Sequence, residues 1–260
     1  MDNFTLKTKG NIEYYVCEGI PVTHAFSTRL GGVSSLSNTK SMNLAYGRGD
    51  SDETVNKNFS IFFGALGLKT ENLIYMNQIH SCDVREITDG ESGCAGSLDG
   101  MVTKSKNAVL CVKIADCSPI ILCDKESGVI GACHAGWRGA CGGIAKATVE
   151  KMVALGAKKE NIRAAIGPCI HSCCYEIQED FYLEVKKMTG NICDSFFTKR
   201  EGKMFADIVK MNTYYLNLAG LKPENVYASE ECTACSPYRF FSHRATKGKR
   251  GTMAAIITLG

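Results

Sequence analysis

The sequence has no long apolar run: no stretch approaches the roughly 20 residues that cross a bilayer. Its start, Met1-Asp-Asn-Phe-Thr-Leu-Lys7, has no hydrophobic core of signal-peptide length, so a soluble cytoplasmic protein is expected. Strong charge bias is also missing. Lys plus Arg number 30 against 27 Asp plus Glu, and no basic run is longer than Lys247-Gly-Lys-Arg250. That balance argues against nucleic acid as the main partner but suits a small anion such as phosphate. No low-complexity linker interrupts the 260 residues, which predicts one domain over 1–260 with a substantial core. Histidine is scarce, with five residues at 24, 80, 134, 171 and 243. Cysteine is plentiful. Fourteen Cys without a secretion signal are expected to be mostly reduced thiols.

The chain is organised around Ala115-Asp-Cys-Ser-Pro-Ile-Ile-Leu-Cys-Asp124 and Gly131-Ala-Cys-His-Ala-Gly-Trp-Arg-Gly139. Two apolar runs, Ile120 to Cys123 and Val129 to Cys133, flank a turn-like Asp124-Lys-Glu-Ser-Gly128, the pattern of a hairpin. A hairpin brings its open ends together, so Cys117 and His134 would meet at one end of a sheet. His80, in Asn77-Gln-Ile-His80, stands where a strand over Leu73 to Met76 would end. Two His and one Cys make either a zinc site with an open fourth position or, for Cys117 and His134 alone, a nucleophile–base pair. A buried Cys and a satisfied core His remain the plain structural alternative.

Strands are expected over Ile12 to Cys17, Val22 to Ser27, Val84 to Ile87, Gly100 to Thr103, Val109 to Ile114, Arg163 to Ile166 and Met253 to Leu259. The Gly/Ser-rich stretch between Asp89 and Ser97 reads as a loop. Ser51-Asp-Glu opens a helix running to about Leu66 with an N-cap and first-turn acids. Further helices are expected over Gly142 to Leu155, Glu179 to Met188 and Asp207 to Ala219. An internal echo links Ala65-Leu-Gly-Leu-Lys-Thr-Glu-Asn-Leu73, Ala154-Leu-Gly-Ala-Lys-Lys-Glu-Asn-Ile162 and Leu218-Ala-Gly-Leu-Lys-Pro-Glu-Asn-Val226. Each is a helical end, a Gly at the C′ position, a polar turn and an aliphatic run, so three helix-to-strand connections are predicted. With the antiparallel hairpin they give a mixed-sheet α+β fold.

Arg29, in the loop Thr28-Arg-Leu-Gly-Gly-Val-Ser-Ser35, is either an anion contact or a solvated turn residue. Arg138 lies in a Gly-rich turn before a helix, where free N–H groups attract an anion, although those glycines also suit a tight turn. Asp116, beside Cys117, is a candidate general acid–base or a carboxylate that orients a His ring. Cys232-Thr-Ala-Cys235 lacks a second pair of the right spacing, since Cys173 and Cys174 are adjacent, and reads as packing thiols.

Gln78-Ile-His80, Asp99-Gly-Met-Val-Thr103, Ala115-Asp-Cys-Ser-Pro119 and His134-Ala-Gly-Trp-Arg-Gly139 resemble successive blocks of the YfiH-like family. It is also called the laccase-domain, multicopper polyphenol oxidase or purine nucleoside phosphorylase family. Phe26-Ser-Thr-Arg-Leu-Gly-Gly-Val-Ser34, Met42-Asn-Leu44, Gly167-Pro-Cys-Ile170, Tyr175-Glu176 and Ser242-His-Arg244 are similar to it too. The resemblance implies two packed sheets with helices outside, in four α/β/β/α layers like the toxin-deamidase-like Cys hydrolases. It implies His80, Cys117 and His134 as metal ligands and moves Arg29 and Asn43 toward the substrate; Arg29 or Arg138 would then neutralise phosphate, and Ser242-His-Arg244 offers a late His243 and Arg244 to the site. The implied activity is zinc-dependent phosphorolysis of adenosine, inosine and 5′-methylthioadenosine, with deamination of adenosine. Its partners would then be a purine nucleoside and phosphate, with monomer or dimer left open. Two alternatives stand: a cytoplasmic hydrolase editing peptidoglycan precursors, and a metal-free Cys117–His134 hydrolase. Copper fits a His₂Cys set, but a multicopper oxidase needs several His-rich centres, which five His do not supply.

Overall fold

The computed structural model describes residues 3–260, so Met1 and Asp2 of the expected leaderless start lie outside the described residues. The fold is α+β, with mixed sheets. A seven-stranded sheet runs in the order Phe4–Lys9, Ile12–Cys17, Thr23–Ser27, Met253–Thr258, Val109–Ile114, Leu73–Asn77 and Gly93–Ser97. A six-stranded sheet runs Val226–Ala228, Arg163–Ile166, Ser118–Asp124, Val129–Ala135, Gly100–Thr103 and Val84–Ile87. Three short strands, Glu176–Ile177, Lys203–Ala206 and Phe197–Arg200, make a small third sheet.

Period-2 alternation decides what each strand packs against. In Ser118–Asp124, Ile121 and Cys123 meet the larger sheet through Leu110, Val112, Met253, Ala255 and Ile257. Ile120 and Leu122 face the other way, toward Ile144, Val149 and Met152 of helix Ile144–Ala154 and Met211 of helix Ile208–Leu218. Both faces are covered, which is why these strands read as unbroken apolar runs. The far face of the larger sheet offers Ala25, Val109, Cys111, Ala254 and Ile256 to Val55, Phe59, Phe62 and Phe63 of helix Asp52–Leu66.

Helix Asp52–Leu66 starts where expected: the Ser51 side chain accepts from Thr54 N, and Gly67 closes it at φ 73°. Gly156 and Gly220 take the same left-handed conformation at φ 99° and 98°. All three echoes are therefore helix-to-strand connections, leading to Leu73–Asn77, Arg163–Ile166 and Val226–Ala228.

Two expectations need correction. The stretch from Asp89 to Ser97 contains an edge strand, Gly93–Ser97, held by parallel pairing to Leu73–Asn77 rather than by its own weak strand propensity. The helix expected over Gly142 to Leu155 is two helices, Trp137–Gly142 and Ile144–Ala154, broken at Gly143 with φ 84°.

Candidate metal centre

The site forms at the mouth between the two large sheets. Leu73–Asn77 and Val109–Ile114 run parallel in one sheet and so end on the same side. His80 follows the first of these strands. After the second, Ala115–Cys117 carries the chain across to Ser118–Asp124 in the other sheet. That strand pairs antiparallel with Val129–Ala135, placing His134 opposite Pro119 and Ala135 opposite Ser118. By parity Cys117 shares the face of Ile121 and Cys123, and His134 that of Ile130 and Ala132, all directed at the larger sheet. Both corners are strained. His80 (φ 62°) and Asp116 (φ 88°) are non-glycine residues in the left-handed region, a conformation that concentrates at functional sites.

The ligand atoms of His80, Cys117 and His134 lie within 4.8 Å of one another. The His80 and His134 rings meet edge to face with centroids 4.9 Å apart. His134 is buried, and its Nδ1 is 2.8 Å from Asp99 Oδ1, which leaves Nε2 for a metal. Asp99 is fully buried, and its Oδ2 accepts from Ile79 N, Ser81 N and Ser81 Oγ. One carboxylate thus sets the His134 ring and also fixes the turn that carries His80. Burial opposes charge on His134, but the Cys117 sulfur and Asp99 outweigh it and raise the imidazole to about 9. His80 is pushed the other way, first by desolvation and then by its proximity to His134.

The sign of the His134 shift makes a prediction for the metal-free protein. A raised pKa contributes stability below the ordinary value of 6.5, and that contribution is lost as pH rises through about 9. Chelator-treated protein should unfold at lower urea concentration at pH 9 than at pH 6. Equal midpoints would refute the Asp99–His134–Cys117 coupling.

Gly136 shapes the site in a way that its sequence position alone does not reveal. A Cβ there would lie 2.2 Å from His80 Nδ1 and 3.4 Å from Cys117 Sγ. His80 is exposed and its ring can turn outward, so Gly136→Ala should fold normally yet displace the ligand. Metal affinity should fall about 10–100-fold, the size seen when a ligand's support is lost. Calorimetric zinc titration beside a thermal melt checks this, and unchanged affinity would sink it.

Two cavities meet at His80 and Cys117, which they share with Ala115 and Arg250, while His134 lines the first alone. The first, about 270 Å³, is lined by Arg48, Lys113 and Arg250 with Gln78, His134 and Tyr46; no carboxylate lines it among the described residues. The second, about 370 Å³, is walled by Trp137, Ile170, Tyr175 and Ile208, with Asp116, His243 and Arg244 at its polar positions. One side suits an anion and the other a flat, partly apolar group.

The sequence candidates separate here. His80, Cys117 and His134 come together, and Asp116 and His243 line the second cavity. Asp116 does not bind a His ring: Oδ1 accepts from Thr233 Oγ1 at 2.6 Å and Oδ2 from Arg244 N at 2.6 Å. Asp99 holds the ring instead. Arg29 lines neither cavity. Its Nε and Nη2 donate to Lys40 O and its Nη1 to Pro237 O, while the guanidinium stacks on Phe241. Asn43 is fully buried and spends its amide on Ala45, Asp50 and Thr252, holding the loop that carries Tyr46 and Arg48. Arg138 is exposed and stacks on Trp137, 4.2 Å from the ring centroid. Its helix, Trp137–Gly142, starts after Gly136, which makes no side-chain capping bond. The cations that line the first cavity, Arg48, Lys113 and Arg250, carried no motif signal; the short run Lys247-Gly-Lys-Arg250 was the one trace.

A mixed α+β fold with a His₂Cys centre between its two large sheets is a recognisable class, and comparison with known proteins identifies it. Residues 23–260 match the family described as multi-copper polyphenol oxidoreductase laccase. The chain belongs to this YfiH-like laccase-domain family. It is 35% identical, over 92% of its length and 90% of the relative's, to a purine nucleoside phosphorylase of Deinococcus radiodurans. It is 34% identical, over 85% of its length and 87% of the relative's, to an adenosine deaminase from an unknown prokaryotic organism. The crystal structure of Bacillus licheniformis hypothetical protein YfiH superposes with a TM-score of 0.92 at 28% identity, covering 100% of both chains. Among the described residues only His80 and His134 join a group that could hold a metal, and His24 is tied to Cys17 N and Val22 O. The oxidase name therefore finds no set of histidine-rich copper centres here. No helix among the described residues is long and apolar enough to cross a membrane.

Proposed function

We propose that the chain is a zinc-dependent purine nucleoside phosphorylase that also deaminates adenosine. The observation that carries this reading is the placement of His80, Cys117 and His134 at the junction of a cationic cavity and an aromatic one. The names of the relatives supply the substrate class. The donor set fits zinc, which accepts imidazole and thiolate together, and three protein ligands leave a position for substrate. Zinc bound there would supply a Lewis acid at the boundary between the cavities.

Each residue of the chain then has work of its own. Arg48, Lys113 and Arg250 hold phosphate in the first cavity and neutralise it against the ribose. Trp137 and Tyr175 offer ring faces to the purine in the second. Asp99 keeps His134 in one orientation. Asp116 ties Thr233 and the start of helix His243–Thr246 to the strand crossover, so it positions the cavity wall.

Turnover of adenosine by metal-quantified protein, with and without phosphate, tests the proposal when adenine, inosine and hypoxanthine are followed together. Adenine formed only with phosphate establishes phosphorolysis, and inosine without phosphate establishes deamination. No turnover at full zinc occupancy refutes both. A second reading has its own observation: Cys117, His134 and Asp99 line up as nucleophile, base and orienting carboxylate. Undiminished hydrolytic activity after complete metal removal would favour that arrangement.

A further inference from the structure

Cysteines 173, 174, 232 and 235 have spacings that argue against a metal site in the sequence, yet the fold assembles them. Strands Arg163–Ile166 and Val226–Ala228 pair parallel, and a bridge between Cys169 and Cys232 extends the pairing past their ends. Both following loops therefore leave the sheet on the same side. The turn after His171 then delivers two adjacent thiols, with Cys174 N and Tyr175 N donating to His171 O. The second loop delivers Cys232 and Cys235.

All four sulfur atoms lie within 4.8 Å of one another. Cys174 Sγ is 3.3 Å and Cys173 Sγ 3.5 Å from Cys235 Sγ. In a tetrahedron of Zn–S bonds near 2.3 Å, the S···S edges are about 3.8 Å, so small adjustments would seat an ion. Cys232 carries a second sign of ligation. The backbone N–H groups of His171, at 3.4 Å, and of Ala234 and Cys235 are directed at its sulfur. Donors aimed at a sulfur favour the thiolate that a metal needs and orient it as a ligand.

We infer that Cys173, Cys174, Cys232 and Cys235 form a second metal site, a closed tetrathiolate centre that takes one zinc. Four protein ligands leave no open position, so its role is structural. It clamps the two loops that back the aromatic cavity. Cys174 O accepts from Arg244 Nη1 at 3.1 Å, Tyr175 follows directly in the cavity wall, and Thr233 donates to Asp116 beside Cys117. The inference stands whether or not the nucleoside reading does, because it concerns different ligands and a different readout.

The test uses the full chain, fully reduced under anaerobic conditions and supplied with excess zinc, with bound metal counted after desalting. Two zinc per chain are expected, one in Cys235→Ser and one in Cys117→Ala. Replacing zinc by cobalt separates the sites: the strong charge transfer of a four-thiolate site should survive Cys117→Ala, whereas Cys235→Ser should keep only the weaker band of the single Cys117 thiolate. Cys173→Ser, at another exposed position, repeats the experiment should Cys235→Ser fail to fold. Hydrogen exchange over 171–176 and 232–236 should quicken in Cys235→Ser while the two large sheets stay protected. A single zinc per wild-type chain that is kept in Cys235→Ser and lost in Cys117→Ala overturns the inference. So does a disulfide between Cys235 and Cys173 or Cys174 that forms, despite excess zinc, once air is admitted as the oxidant.

Discussion

Cys117→Ala is expected to leave a folded protein with no tightly held metal between His80 and His134 and no nucleoside turnover above background. Cys117 is half-buried at a chain crossover, and the core behind it is built by Ile121, Cys123, Ile130 and Ala132, none of which the substitution touches. Stability should therefore change little. Affinity for the metal should fall by more than the ~10–100-fold that loss of an outer partner such as Asp99 costs, because a bond to the ion itself disappears. Burial and Asp99 would still act on His134, but the Cys117 contribution that helps raise it would be gone. Metal content, a thermal melt and adenosine phosphorolysis on one preparation decide the matter. Full phosphorolysis by Cys117→Ala would remove both the metal assignment and the nucleophile reading, since each needs that sulfur.

The parts of this site that were legible in the sequence are those whose geometry follows from local periodicity. A hairpin ends where its apolar runs end, so Cys117 and His134 were bound to meet once Ser118–Asp124 paired with Val129–Ala135. The Gly67, Gly156 and Gly220 connections were legible because a left-handed helix end favours glycine. Asp99 opens one of the motif blocks, but its role was not legible, because it lies in a hydrogen bond to a ring 35 residues away. The adjacent thiols at 173 and 174 gave no spacing signal for the cluster they join, for a related reason. Spacing rules describe ligands on one continuous knuckle, whereas this cluster is closed by parallel pairing of two distant strands. Arg29 shows the opposite case: its loop is distinctive in the sequence, and in the structure three backbone hydrogen bonds and the Phe241 ring engage its guanidinium.

Arg250→Ala should raise the Michaelis constant for phosphate about 10–100-fold, as expected for one lost charge-assisted contact, while nucleoside and metal binding change far less. Arg250 lines both cavities, and its Nη1 donates to Thr252 Oγ1 at 2.8 Å. Its Nε is buried without a hydrogen-bond partner among the described residues, a donor that an anion in the first cavity would satisfy. Burial and then the nearby Arg48 charge lower its pKa, so the free site holds uncompensated positive charge that phosphate would relieve. Arg138 provides the contrast. It is exposed and stacked on Trp137, so Arg138→Ala should disturb the phosphate constant less than Arg250→Ala does. Arg250→Lys restores the charge without the planar fork and should recover only part of the loss. Steady-state kinetics with phosphate and adenosine varied in turn distinguish these outcomes. Equal effects on both substrates would show that Arg250 shapes the cavities as a whole, and the anion would then have to be held by Arg48 and Lys113.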